Sequence, residues 1–179
     1  ARQIFSHWAG KLGEAFETRD ADAFADLVAA DGFWRDILAF GWDRPTHEGR
    51  DAVRAAFAAA AGETAPSCVA IAKGRTAPRF SRYAGRPVVE GWFDFRTALG
   101  TGAGFARLLY DPADIASARA FVILTTLHSL NGFEEKVGPA RPSGEHFSKI
   151  ETPVSWRQER EREQLFRDRD PQVLIVGAC

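Results

Sequence analysis

Methionine is absent from all 179 residues, position 1 included. That absence predicts a portion of a longer chain. Cysteine is nearly absent too: Cys68 and Cys179 are the only two. Two isolated thiols build neither a disulfide framework nor a zinc site. The histidines, His7, His47, His128 and His146, include no pair at H-x-x-x-H spacing, which argues against a metal centre. No serine stands in a G-x-S-x-G turn, and neither cysteine has a recognisable catalytic partner. No apolar run approaches the roughly 18 residues needed to span a bilayer. The start, Ala1 to Trp8, lacks the apolar stretch of a signal peptide. Neither sign of charge dominates, with 23 basic and 24 acidic residues and a net charge of −1. Neither nucleic acid nor an anionic membrane is therefore the expected partner. The default expectation is a cytoplasmic chain.

What is present is aromatic. Five Trp and 14 Phe predict a core or pocket rich in rings. Hydrophobic content of 45% and charged content of 26% suit an ordinary globular domain with a tail. Phe5, Trp8, Leu12, Ala15 and Phe16 recur at helical spacing and predict a helix over residues 2–17. Asp20 is placed to cap a second helix running to about Ala30, ended by Asp31-Gly32. Phe33 to Phe40 is β-prone and reads as the first strand, and 42–49 as a loop or short strand. Asp51 is placed to cap a third helix, Ala52 to Ala61, with Val53, Ala56, Phe57 and Ala60 as its buried stripe.

Strand candidates follow near 67–75, 86–97, 103–110 and 119–130, with glycines of the 94–105 segment expected at a hairpin turn. Residues 131–153 carry several glycines and prolines and read as an irregular wrapping segment. Val154 to Arg169 alternates charge and reads as a solvated linker helix. Helices first and strands after predict an α+β class: three helices packed on a strongly curved antiparallel sheet, with the 119–130 strand central.

The last ten residues, Asp170 to Cys179, end a charged run at Asp-Pro and continue into Val-Leu-Ile-Val-Gly-Ala. That is how the first strand of a dinucleotide-binding βαβ unit reads. Only Gly177 of the fingerprint is present, and Cys179 stands where the second glycine belongs. Residues 172–177 are expected as an orphan strand or tail. Without the following helix N-terminus this chain is expected to bind neither FAD nor NADPH by itself.

Asp22 to Val28, Phe33-Trp-Arg-Asp36 and His47-Glu-Gly-Arg-Asp-Ala-Val53 are similar, in order and spacing, to the opening of the nuclear-transport-factor-2-like (NTF2-like) superfamily. That superfamily includes ketosteroid-isomerase-like and SnoaL-like domains. Trp34 to Trp42, Phe93 to Thr97, Thr125 to Glu135, the Arg141-Pro-Ser-Gly loop and the terminal strand together resemble one subgroup. In it a SnoaL-like domain precedes the FAD-binding domain of a flavin-dependent monooxygenase, of the flavin-containing or Baeyer–Villiger type.

The resemblance implies a cone-shaped, cystatin-like roll over residues 1–135. It implies a wrapping loop and linker helix over 136–170, and the start of an FAD-binding domain at 171–179. It implies a parent flavoprotein using FAD and NADPH on a small apolar organic substrate. The roles it leaves for this domain are binding, shielding, or dimerisation as a homodimer. The alternative is a small isomerase or dehydratase of ketosteroid-isomerase type.

Asp36 is the residue on which these readings divide. A carboxylate among Trp34, Ile37, Leu38 and Phe40 is costly unless paired. One reading makes it a general base in the cone, as in ketosteroid isomerases. The other, and the expected one, makes it the ion-pair partner of Arg96 or Arg107. Trp34, Trp42, Trp92 and Phe93 are candidate pocket residues, with plain core as their alternative. Asp36 and at least two of these tryptophans are expected at one cavity between helices and sheet. His128, on a strand expected opposite the pocket wall, is the remaining candidate.

Overall fold

The computed structural model describes residues 1–141, 155–167 and 170. The chain divides into two compact units, Ala1–Glu135 and Lys136–Cys179. The first holds α1 (Arg2–Thr18), α2 (Ala21–Asp26), β1 (Val28–Ile37), β2 (Thr46–Glu48) and α3 (Gly49–Thr64). It continues with β3 (Ser67–Ile71), β4 (Arg79–Tyr83), β5 (Arg86–Arg96), β6 (Gly100–Asp111) and β7 (Asp114–Leu130).

The first helix forms where its periodicity places it. Its stripe of Ile4, Phe5, Trp8, Leu12, Ala15 and Phe16 is buried. It stops at Arg19, which turns left-handed at φ 55° while the Asp20 N–H closes onto the Ala15 carbonyl at 3.0 Å. Asp20 then caps α2, accepting from the Ala23 N–H at 2.9 Å. The expected run to Ala30 does not occur. The Leu27 carbonyl is taken from two sides, by the Ala120 N–H at 2.7 Å and the Trp8 indole N–H at 3.1 Å. Those bonds start β1 at Val28, before Asp31-Gly32. Gly32 is therefore a strand position and not a helix stop. A Cβ there would lie 2.7 Å from the Ala120 carbonyl oxygen, so only glycine fits the bulge that shifts register between Val28 and Phe33. The third helix begins at Gly49 after Glu48, and Asp51 sits inside its first turn rather than at its cap.

The fold class is α+β, with a curved sheet. The sheet has seven strands in the order β2-β1-β7-β6-β5-β3, with β4 also paired to β5. It is mixed and not wholly antiparallel: β1 runs parallel to β7, with Trp34 opposite Ile123 and Asp36 opposite Thr125. A parallel pair needs a long crossover, and here α3 and β3 to β6 supply it. Strand β7 is central, as its sequence predicts. The β5–β6 turn spans Thr97 to Gly100, closed by their reciprocal backbone bonds at 2.8 and 3.3 Å. Gly102 and Gly104 lie beyond the turn, within β6. A Cβ at Gly102 would enter the Phe95 ring, and one at Gly104 the Phe93 ring. The glycines thus make room for aromatic packing.

Between helices and sheet the space is filled with rings. Phe5, Trp8, Phe16, Phe24, Trp34, Phe57, Phe93 and Phe95 are fully buried. Phe16 is central, meeting Phe24, Phe40, Phe57 and Phe95 at centroid separations of 5.5 to 5.8 Å. Burial of each such ring stabilises by about 1.5–3 kcal/mol, and each well-oriented pair adds about 0.5–1.5 kcal/mol.

The second unit shows a 3₁₀ turn at Gly138–Ala140 and α4 (Trp156–Gln164), with an Arg157–Glu161 pair one turn apart at 2.9 Å. The linker helix expected from Val154 to Arg169 is thus shorter in its described part; Val154, Asp168 and Arg169 lie outside the described residues. So do Gly177 and the strand expected over 172–177. Among the described residues no helix is long and apolar enough to cross a membrane.

Candidate functional site

Asp36 is 1% exposed, and its partners are not arginines. The register of β1 on β7 sets Thr125 directly opposite it. The Thr125 hydroxyl donates to Asp36 Oδ1 at 2.6 Å. The same hydroxyl accepts from the Trp34 indole N–H at 2.9 Å. Asp36 Oδ2 accepts from the Phe40 backbone N–H at 2.9 Å. The result is a buried relay, Trp34 to Thr125 to Asp36 to Phe40, that ties two strands to the turn leaving β1. That turn needs the tie, because Leu38 within it holds φ at 67°.

The expected ion pair with Arg96 or Arg107 does not form. Arg107 bonds Glu90 instead, at 3.2 Å, and Arg96 borders a cleft with Asp94 and His128. The physical reason is facing. Asp36 points to the helix side of the sheet with Trp34 and Thr125, whereas Arg96 and Arg107 occupy the alternate positions on β5 and β6. Sequence reasoning missed Thr125. A threonine in a strand carries no signal of its own, and only the non-local pairing of β1 with β7 makes it a partner.

Asp36 and Trp34 border a cavity of about 320 Å³ beside α3. Phe40, Pro45 and the alanines 56, 59 and 60 of α3 form its apolar wall, and His47 and Glu63 supply its remaining ionisable groups. The His47 ring lies 5.4 Å from that of Trp34. The alanine run explains the space: α3 presents methyl groups where larger side chains would close it. Chemically the cavity can hold a small, mostly apolar molecule with a carboxylate at its inner wall. Two of the roughly four lone-pair positions of a carboxylate are used at Asp36, one on each oxygen.

The other expected pocket residues do not join it. Trp42 is 72% exposed and borders a separate depression of about 90 Å³ across Phe40 and Gly41. Phe93 is plain core, packed edge-on to Trp8 at 5.9 Å. Trp92 faces the other side of the sheet, 4.8 Å from Phe105 and under the Arg75 guanidinium at 4.5 Å. His128 is exposed and borders the cleft with Arg96. Only Trp34 of the tryptophans shares the Asp36 cavity, because Trp34 is two residues from Asp36 on one strand while Trp92 alternates outward.

Among the described residues Glu90 is the other buried carboxylate, 6% exposed. Burial pushes its pKa up, but hydrogen bonds from Arg79 and Arg107, with their charges, outweigh that and hold it below the ordinary glutamate value. Arg79 approaches at 2.8 Å. This group anchors β4 and β6 to β5.

The glycine-rich run of the described residues is not a dinucleotide-binding turn. This run, Gly100 to Gly104, lies inside β6, packed under Phe93 and Phe95 with no helix N-terminus after it. Among the described residues no cluster of His, Cys, Asp or Glu could hold a metal ion.

No family model matches the chain, and no curated protein matches it. Solved structures do. An NTF2-like superfamily protein from Salmonella enterica serovar Typhimurium superposes with a TM-score of 0.50 at 12% identity, covering 79% of this chain and 96% of that one. A cystatin-like domain of unknown function from Nostoc punctiforme gives 0.50 at 10% identity, covering 91% and 92%. A ketosteroid isomerase-like protein from Erwinia carotovora atroseptica gives 0.48 at 14% identity, covering 70% and 94%. At such identities the likeness concerns the fold alone. The chain adopts the NTF2-like, cystatin-like cone fold.

Proposed function

We propose that residues 1–135 are an accessory domain that takes a small apolar organic molecule in the cavity beside Asp36, within a longer FAD- and NADPH-dependent monooxygenase. The carrying observation is the cavity itself. It is walled by Trp34, Phe40 and three alanines of α3, and it lies next to a carboxylate already committed to the fold. The monooxygenase part rests on the resemblance of the sequence segments and on the terminal Val-Leu-Ile-Val-Gly run. With Thr125 and Phe40 bonded to it, Asp36 braces the β1 turn rather than awaiting a substrate proton. The domain contributes binding and shielding, and the redox chemistry belongs to the FAD-binding part of that monooxygenase.

One observation favours a second reading, an isomerase or dehydratase: the Asp36 carboxylate borders the cavity, where a general base would have to be. Naphthalene is a suitable probe for both. Saturable binding by the chain, followed through tryptophan fluorescence and lost on Ala60→Phe, is the expected result. Naphthalene binding that survives Ala60→Phe would place the ligand elsewhere. Proton–deuterium exchange at the carbon next to a bound ketone, abolished by Asp36→Asn in a folded protein, would favour the isomerase.

A further inference from the structure

The face of the sheet opposite the helices carries a cleft of about 710 Å³. Its placement follows from strand alternation. Phe93 and Phe95 turn toward α1, where they meet Trp8 and Phe16. Asp94 and Arg96 therefore turn away from it. Lys73 and Arg75, just past β3, and Thr101 of β6 border the same cleft.

The chain as a whole is close to neutral, at −1, but the cleft is not. Lys73, Arg75 and Arg96 meet a single carboxylate there, Asp94. Among the described residues none of these cations has an ion-pair partner. The contrast is with Arg54, Arg79, Arg86 and Arg107, each bonded to a carboxylate elsewhere on the domain. Stacking over Trp92 at 4.5 Å holds the Arg75 guanidinium in place, which lowers the cost of ordering it around a ligand. The Thr101 hydroxyl is likewise fixed, 2.6 Å from that of Ser129.

The volume is that of a small-molecule site. The excess of two positive charges matches a phosphate monoester, which carries about −1.5 to −2 at neutral pH. Guanidinium forks fit its oxygens in pairs. We propose that this cleft binds a small phosphate-bearing molecule, with Lys73, Arg75 and Arg96 on the phosphate and Asp94 accepting from a donor on the remainder. The site is separate from the Asp36 cavity and does not depend on what that cavity takes.

Phenyl phosphate is the probe, titrated at low ionic strength by calorimetry and ³¹P line width. One-site saturable binding is expected. The Lys73→Gln/Arg96→Gln double variant should weaken it at least about tenfold, equivalent to ~1.4 kcal/mol, and added salt should weaken it in the wild type. Both side chains are exposed, so an unchanged thermal midpoint should accompany the loss. Cys68 is a free, exposed thiol bordering the cleft and gives a readout without altering the cations. In a Cys179→Ser background, phenyl phosphate should slow its alkylation by iodoacetamide, and benzyl alcohol should not. Absence of saturable binding, equal binding by the double variant, or equal protection by benzyl alcohol would each overturn the proposal.

Discussion

Replacing Thr125 by valine keeps the shape of the side chain and removes its hydroxyl. That hydroxyl is fully buried and serves two partners, donating to Asp36 at 2.6 Å and accepting from Trp34 at 2.9 Å. The hydrogen bond to an ionised group is worth about 1.5–3 kcal/mol, and a buried indole N–H left without an acceptor costs about 1–3 kcal/mol. The carboxylate also keeps its desolvation cost with only the Phe40 N–H remaining. Thr125→Val should therefore destabilise the fold by about 3–5 kcal/mol, a large share of the ~5–15 kcal/mol of a typical domain.

Urea unfolding is the assay, with an unchanged m-value showing that the denatured state has not shifted. Thr125→Ser is the control: it retains the hydroxyl and loses one methyl, for about 1 kcal/mol. Trp34→Phe removes the donor from the other end. Combined with Thr125→Val it should cost less than the sum of the two, by about 1–2 kcal/mol. A Thr125→Val loss under ~1 kcal/mol would refute the relay, since no buried charge loses a bond that cheaply.

Asp36→Asn should cost only about 1–2 kcal/mol, because the amide can still accept from Phe40 and donate to Thr125; a loss of about 3–5 kcal/mol would instead indicate a hidden cationic partner. Glu90 is held below its ordinary pKa in the folded state. Its contribution is then complete above the unfolded value of about 4.3 and is lost as pH falls through the lower folded value. Glu90→Gln should accordingly flatten the acid limb of the stability–pH curve, measured by chemical unfolding from neutral pH downward. Gly104→Ala drives a methyl into the Phe93 ring and should destabilise by about 1–3 kcal/mol. Gly10→Ala and Gly62→Ala, in α1 and α3, meet open space and should each raise stability by about 0.5–1 kcal/mol in urea unfolding.

The helices and most strands were legible because they follow from local spacing. The stripe from Phe5 to Phe16 and the β-prone runs of β5 to β7 announce themselves. What was illegible depends on distant partners. The early start of β1 is imposed by Ala120 and Trp8 on the Leu27 carbonyl. Strand β4 pairs through Arg79 with Glu90, and Arg79 to Tyr83 has too few apolar positions to read as a strand. The Asp36 relay depends on register between strands 89 residues apart in sequence. The same limit misassigned the tryptophans. Composition predicted an aromatic pocket, but only strand register decides that Trp34 faces inward and Trp92 outward.

The most direct test of the account is where a bound apolar molecule lies. Intermolecular NOEs from naphthalene to the wild-type chain should connect its protons to the Trp34 ring and to the methyls of Ala56 and Ala60, while Thr125 and Phe40 keep their bonds to Asp36. NOEs confined to exposed rings such as Trp42 or Phe133, or none under saturating naphthalene, would contradict it.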